Sequence, residues 1–305
     1  MKIHISFKFS QEPSGGGNQF LNNLRKEFIS KNIYSDSAKN AEVILFNAHH
    51  NSTEVLKLRH KFPEKTFIHR IDGLYKLYNN SGDERQDMSF AMNISIANAT
   101  IFQSNWAREK HIEEGLGLQG KPNKVILNAA DNEVFFPRLL HSTQENPNKI
   151  NIISTGWSSN PNKGTYFYKH LDDHLDFSKY TLTFIGNPPA KFKNIKTIPP
   201  LNRENLANKL KSKDVFFFPS RYECCSNSLI EGISCGLVAV ALDSGGNTEL
   251  INKCSAGVLF NSEEDLITKI KEVSHNVRER RGKIKAPNLD EASNQYIKFF
   301  EECIK

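Results

Sequence analysis

The chain has 305 residues, 38% of them hydrophobic and 10% aromatic, and a net charge of +6. That length is about twice a single domain and brings enough apolar side chains for real cores, which excludes disordered or fibrous architecture and leads us to expect two domains. The positive charge suits anionic ligands such as nucleoside diphosphates, acidic lipid headgroups or nucleic acid; with no aromatic stacking motif or basic recognition helix, nucleic acid is not an expected partner.

Short β-rich apolar runs alternate with segments of helical period along the whole chain, the pattern of parallel α/β sheets. In the first half, strands are predicted near 2–9, 42–47, 65–70, 100–104 and 124–128, and helices near 18–31, 52–61, 84–98 and 105–115. These make one doubly wound, Rossmann-like unit over 1–138. Between Pro137 and Pro147 the run Ser142, Thr143, Gln144, Glu145 and Asn146 and the lack of any apolar period lead us to expect a linker over 139–148. A second unit over 149–286 has predicted strands near 150–155, 180–186, 214–219, 238–242 and 257–260, with helices near 163–174, 203–212, 227–235, 246–253 and 263–281. A last helix is predicted over 289–304; its packing partner is not readable in the sequence, and a return of the segment 287–305 to the N-terminal domain is left open. Two such sheets facing each other would leave a cleft lined by strand-to-helix loops, where ligands of open α/β sheets sit.

No apolar run approaches the roughly 20 residues that span a bilayer. The opening segment Met1–Phe9 alternates polar and apolar residues, which reads as a strand and not as an export signal. The five cysteines show neither a C-x-x-C pair nor zinc spacing, so a reduced, cytoplasmic setting is expected. The basic run Arg278, Arg280, Arg281, Lys283 and Lys285 leaves a peripheral contact with the cytoplasmic membrane face open, against the commoner reading of a solvated helix face.

The most informative segment is Pro219 to Gly232, a buried strand, a small polar turn and a helix opening near Ser226. Glu223 lies in the turn and Glu231 in the helix. The free N–H groups at the helix start, around Cys225, Ser226, Asn227 and Ser228, are a site for an anion. At about 1.5 Å per residue, Glu231 follows roughly 8 Å along the axis, the step from a diphosphate to a ribose diol, while Glu223 is placed to hold sugar hydroxyls. An arbitrary pair of glutamates at this spacing is more often a turn cap and a solvated helix face.

The context changes that balance. The segment resembles the E-x7-E motif of family 4 retaining glycosyltransferases of the GT-B fold, with Phe216-Phe217-Phe218-Pro219-Ser220 before it and Glu231-Gly232-Ile233-Ser234-Cys235-Gly236 after it. Val125 to Asp131 with Phe135 and Pro137 is similar to the segment that ends the family's first domain; Asn128 and Asp131 match, and Ala129 replaces a glycine. Ser244 to Glu249 is similar to the family's glycine-glycine-x-x-glutamate loop, and Lys163-Gly164 to its lysine-glycine entry into a helix.

The resemblance implies that Lys163 neutralises the leaving diphosphate, with a surface lysine as the alternative. Where the family carries an arginine, this chain has Trp157 followed by Ser158 and Ser159; the open replacements are either hydroxyl donating instead or another basic residue entering from elsewhere in the cleft. Gly16 and Gly17, in the glycine-rich turn after the first strand, correspond to a loop that faces donor phosphates and acceptor, and Asn128 is expected on the donor side; a plain tight turn is the alternative for the glycines. His69 and Asp72, at the end of a strand, are the acceptor-side candidates, with Ile71 where the family's histidine would align and helix capping as the competing reading.

No D-x-D triplet occurs, so no metal or other cofactor is expected beyond the nucleotide-sugar co-substrate. The implied reaction is transfer of a hexose-type sugar, with retention, from a nucleoside-diphosphate sugar to a glycan, lipid-linked or small-molecule acceptor. A catalytically silent nucleotide-sugar-binding partner of a larger synthase, and a nucleotide-sugar epimerase, are the alternatives.

Overall fold

The structure, a computed structural model, describes residues 1–10, 16–137, 146, 148–158 and 160–304. The chain divides into two compact units, Met1–Asn128 with Asn288–Lys305, and Ala129–Pro287. Most of the segment read as a linker lies outside the described residues.

The first unit has five parallel strands, β1 (Ile3–Ser6), β2 (Val43–Asn47), β3 (Thr66–Arg70), β4 (Ala99–Phe102) and β5 (Asn123–Val125), in the order β1-β2-β3-β4-β5. Its helices are α1 (Gly16–Ser30), α2 (Ser52–Lys61), a short α3 (Tyr75–Tyr78), α4 (Arg85–Ile96) and α5 (Asn105–Glu113). A parallel bridge from Tyr34 to Ile3 lies on the side of β1 away from β2. The winding direction therefore reverses at β1, and the loops after β1 and β2 flank the reversal, where open α/β sheets bind ligands.

The second unit has six parallel strands, β6 (Ile150–Gly156), β7 (Tyr180–Gly186), β8 (Lys196–Ile198), β9 (Val215–Phe218), β10 (Val238–Leu242) and β11 (Gly257–Phe260). Their order, β11-β10-β9-β6-β7-β8, is doubly wound with its reversal between β6 and β9. Helices α6 (Thr165–His174), α7 (Arg203–Lys211), α8 (Asn227–Ser234), α9 (Asn247–Cys254), α10 (Glu263–His275) and α11 (Val277–Lys283) belong to this unit. Strands covered on both faces read as continuous apolar runs, and Val215–Phe218 and Val238–Leu242 are buried throughout. The single helix predicted over 263–281 is broken at Asn276, whose φ of −139° leaves the helical region.

The final helix, α12 (Leu289–Ile304), packs on the first unit. Tyr296 meets Phe20 at 6.0 Å between ring centroids and Phe300 meets Phe28 at 6.1 Å, all four side chains buried. An ion pair between Lys31 and Asp290 closes the same seam.

Candidate functional site

In the second unit the loops after β6 and β9 meet at the sheet reversal. The first leaves Gly156 through Trp157 and Ser158, makes a 3-10 turn over Pro161–Lys163 and enters α6 through Gly164. Gly164 has φ +83°, and a Cβ there would lie 2.6 Å from Pro219, so glycine is required for the two loops to touch. Arg221 N–H donates to the Asn162 carbonyl at 2.7 Å. From the other side, Gly246 N–H donates to the Glu223 carbonyl at 2.7 Å, Tyr222 N–H to Ser244 Oγ at 3.2 Å, and the buried Asn247 amide to the Ser220 carbonyl at 2.9 Å. A Cβ on Gly246 would stand 2.0 Å from the Cys224 carbonyl oxygen. The loop holding Glu223 is thus clamped between both neighbouring strand ends, and Tyr222 is held at φ +58°, a strained backbone of the kind found at ligand clamps.

This clamp brings Lys163 and Glu223 together: Lys163 Nζ is 2.6 Å from Glu223 Oε1, with the side chains 27% and 19% exposed. A partly open depression beside the pair is lined by Gly156, Ser158, Lys163 and Ser220. Ser158 Oγ accepts from Asn160 N–H at 3.1 Å; Ser159 lies outside the described residues.

Helix α8 starts from the same loop. Ser226 caps it, its hydroxyl accepting from Leu229 N–H and lying 3.0 Å from Ser228 Oγ. The Ser226 and Cys225 side chains are buried, at 7% and 6% exposure, so any contact they make with a donor would come from their backbone N–H groups. Asn227 and Ser228 are partly exposed at the helix start, and Glu231 follows three and four residues later on the same face. The Glu231 carboxylate has no hydrogen-bond partner among the described residues. Burial, opposed in small part by the charge of Arg203, pushes its pKa up to about 7. Arg203 itself pairs with Asp131 at 3.2 Å.

In the first unit, Asp72 closes a ring of five polar side chains from the ends of four strands. Asn47 donates to Asp72 Oδ2 (3.3 Å), Arg70 to Asn47 (2.6 Å) and to Asn128 (2.8 Å), Asn128 to Gln103 (2.9 Å), and Gln103 to Asp72 Oδ1 (2.9 Å). Arg70 is fully buried, with its guanidinium 5.0 Å from the Phe20 ring centre and 3.9 Å from Asp72. Burial draws the Asp72 carboxyl upward, but Arg70 and the two amides outweigh it and hold it below the usual carboxylate range. Gly17, in the first turn of α1, stands against this carboxylate: a Cβ there would be 3.0 Å from Asp72 Oδ2. Gly16 opens α1.

Two assignments change here. Asn128 is 2% exposed with its amide spent inside the ring, so it orients Arg70 and Gln103 and does not face a donor. His69 is fully buried: it stacks on Phe46 at 4.4 Å, accepts from Asn93 at Nδ1 and donates from Nε2 to the Ala48 carbonyl, and burial lowers its pKa to about 3. Strand residues alternate between faces. Arg70 therefore points toward α1 and His69 toward α4, where it is a neutral packing group with no acceptor role. Arg70, Gln103 and Asn47 were not singled out in the sequence because they lie at the ends of three different strands and meet only in the fold.

Residues 191–287, which include Glu223, Glu231 and Arg203, match the family described as glycosyl transferases group 1. They make up the C-terminal part of the second unit. No curated protein matches the chain in sequence. Among solved structures, the sucrose-phosphate synthase of Thermosynechococcus elongatus superimposes with a TM-score of 0.75 at 14% identity, covering 98% of each chain. HepE of Anabaena in complex with UDP gives 0.74 at 13% identity, covering 99% of this chain and 100% of that one. The same protein with UDP-glucose gives 0.69 at 14% identity, covering 99% and 98%. The two parallel sheets of the glycosyltransferase thus make the GT-B fold. Lys163, Ser158 and the Asp72 ring lie outside the matched segment.

Proposed function

We propose that the glycosyltransferase moves a hexose-type sugar from a nucleoside-diphosphate sugar to a glycan, lipid-linked or small-molecule acceptor, retaining the anomeric configuration and using no metal. The observation that carries this is the join of a half-buried Glu231, with no hydrogen-bond partner among the described residues, to the Lys163–Glu223 pair through the start of α8. A ribose diol would donate to the Glu231 carboxylate; charge-assisted bonds of this kind are worth about 1.5–3 kcal/mol each. The diphosphate would draw Lys163 away from Glu223 and lie against the free N–H groups of α8. Glu223, released from its lysine, would then accept from sugar hydroxyls. Charge developing on the departing phosphate meets a fixed cation and a helix terminus, which supply the stabilisation that metal-dependent transferases take from their ion. The acceptor hydroxyl gives its proton to the departing phosphate oxygen, so no protein nucleophile is needed. Asp72, pre-oriented by its ring, is the acceptor-side carboxylate. The protein is expected to act on the cytoplasmic side.

The UDP and UDP-glucose bound by HepE make uridine diphosphate hexoses the first donors to test. Proton NMR of the product, followed from the first turnover, is expected to show the anomer of the donor. An inverted product would remove the retaining mechanism.

A further inference from the structure

Among the described residues, most exposed large apolar side chains sit on helix surfaces, as Ile29, Leu56, Met88 and Ile112 do. Trp157, 46% exposed, alone directly follows a sheet strand, at the reversal beside β9. Its backbone is fixed. Asn187 N–H donates to the Gly156 carbonyl at 2.8 Å, and the Asn187 side-chain amide donates to the Trp157 carbonyl at 3.1 Å. The ends of β6 and β7 approach so closely that a Cβ on Gly186 would lie 2.0 Å from the Gly156 oxygen. The indole itself has no aromatic, cationic or hydrogen-bond partner among the described residues. A half-exposed aromatic ring on a fixed backbone therefore opens the loop that carries Ser158 and Lys163.

An indole brings no cation to a phosphate and at most one N–H donor, so most of its surface is apolar. It suits a pyranose, which presents a C–H face to an aromatic ring and its hydroxyls to carboxylates at the edge; sites for small molecules combine such apolar platforms with a few polar groups. We propose that Trp157 is a specificity-determining platform on which the pyranose ring of the donor stacks while Glu223 takes its hydroxyls. This rests on the nucleotide-sugar reading above. It makes the site discriminate a nucleotide sugar from the bare nucleoside diphosphate, its product.

The test uses the full chain with Trp106→Phe, which leaves Trp157 as the emitter. UDP, GDP and ADP and the corresponding hexose derivatives are titrated by calorimetry and by tryptophan emission. The expected result is an emission change with the nucleotide sugar that the matching nucleotide does not give. Trp157→Ala should weaken the nucleotide sugar about tenfold, a 1.4 kcal/mol loss of stacking, and leave the nucleotide within about twofold, while Trp157→Phe stays within about threefold of the parent. Calorimetric binding of a nucleotide sugar with emission and Trp157→Ala affinity no different from those of its nucleotide would overturn the platform and leave the donor site standing. If no nucleotide or nucleotide sugar bound, both readings would fall together.

Discussion

Glu231 carries the clearest electrostatic signature. Its carboxyl is more easily protonated in the fold than in the unfolded chain, so the folded state binds the extra proton between about pH 4.5 and about pH 7. Native stability is then progressively lost as pH rises through that window. A diol donating to the carboxylate favours the ionised form, so donor binding at pH 7 should release protons. Calorimetry in two buffers of different ionisation enthalpy would show this as a buffer-dependent heat, absent in Glu231→Gln. The same variant should melt at a higher temperature than wild type at pH 8 while losing donor affinity, the trade expected of a group retained for its ligand. The Asp72 ring gives a contrasting pair. Arg70→Leu takes the cation from the quarter-exposed Asp72 and the guanidinium donors from Asn47 and Asn128, and should cost about 1–3 kcal/mol in denaturant unfolding. Asp72→Asn keeps much of the ring and should fold close to normally but lose transfer. Equal stability losses in the two variants would make the ring a purely structural device. Glu223, Glu231 and Lys163 were singled out through the motif resemblance, since two glutamates at that spacing alone read more often as a turn cap and a solvated helix face; what the fold adds is that Lys163 and Glu223 meet. The ring was not legible, because its members are scattered from Asn47 to Asn128 and their meeting is a tertiary fact. His69 was misplaced for a simpler reason: nearness to a strand end does not say which face a side chain takes.

At the scale of elements, the long apolar strands and amphipathic helices were readable close to their ends, since burial on both faces and a 3.6-residue period leave strong marks. The pieces that escaped were short. Strand β8 has three residues, none fully buried, and α3 has four, so neither sustains a period. The basic run looks different once folded: Arg280 pairs with Glu272, Lys283 with Glu279, and Arg281 donates to the Lys213 carbonyl. Much of the charge offered to an acidic lipid surface is thus already engaged, and no helix among the described residues is long and apolar enough to cross a membrane. Helix α12 holds aromatic rings against α1 that are buried to 1% or less on the Phe20 and Phe28 side. Uncovering each should cost about 1.5–3 kcal/mol. A chain cut after Pro287 is expected to lose cooperative melting of the first unit and to bind a hydrophobic dye, and an unchanged melting profile would show that α12 is dispensable there.

For the whole molecule, the same rule operates twice. Each unit is a parallel sheet with one reversal of winding, and in each the polar side chains that matter gather at the carboxyl ends beside it. Only the carboxyl-end part of that rule was usable from sequence, because it needs loop position alone; the strand order that places each reversal came with the fold. The central claim is that the second unit holds a nucleoside-diphosphate sugar through Glu231 and Lys163. Its most direct test is calorimetric titration of UDP-, GDP- and ADP-sugars, without added metal, into wild type and Glu231→Ala. One donor class should bind to the wild type and lose at least about tenfold affinity in the variant, the loss of a charge-assisted bond. Binding that Glu231→Ala leaves intact, or no binding to a well-folded wild type, would contradict the assignment.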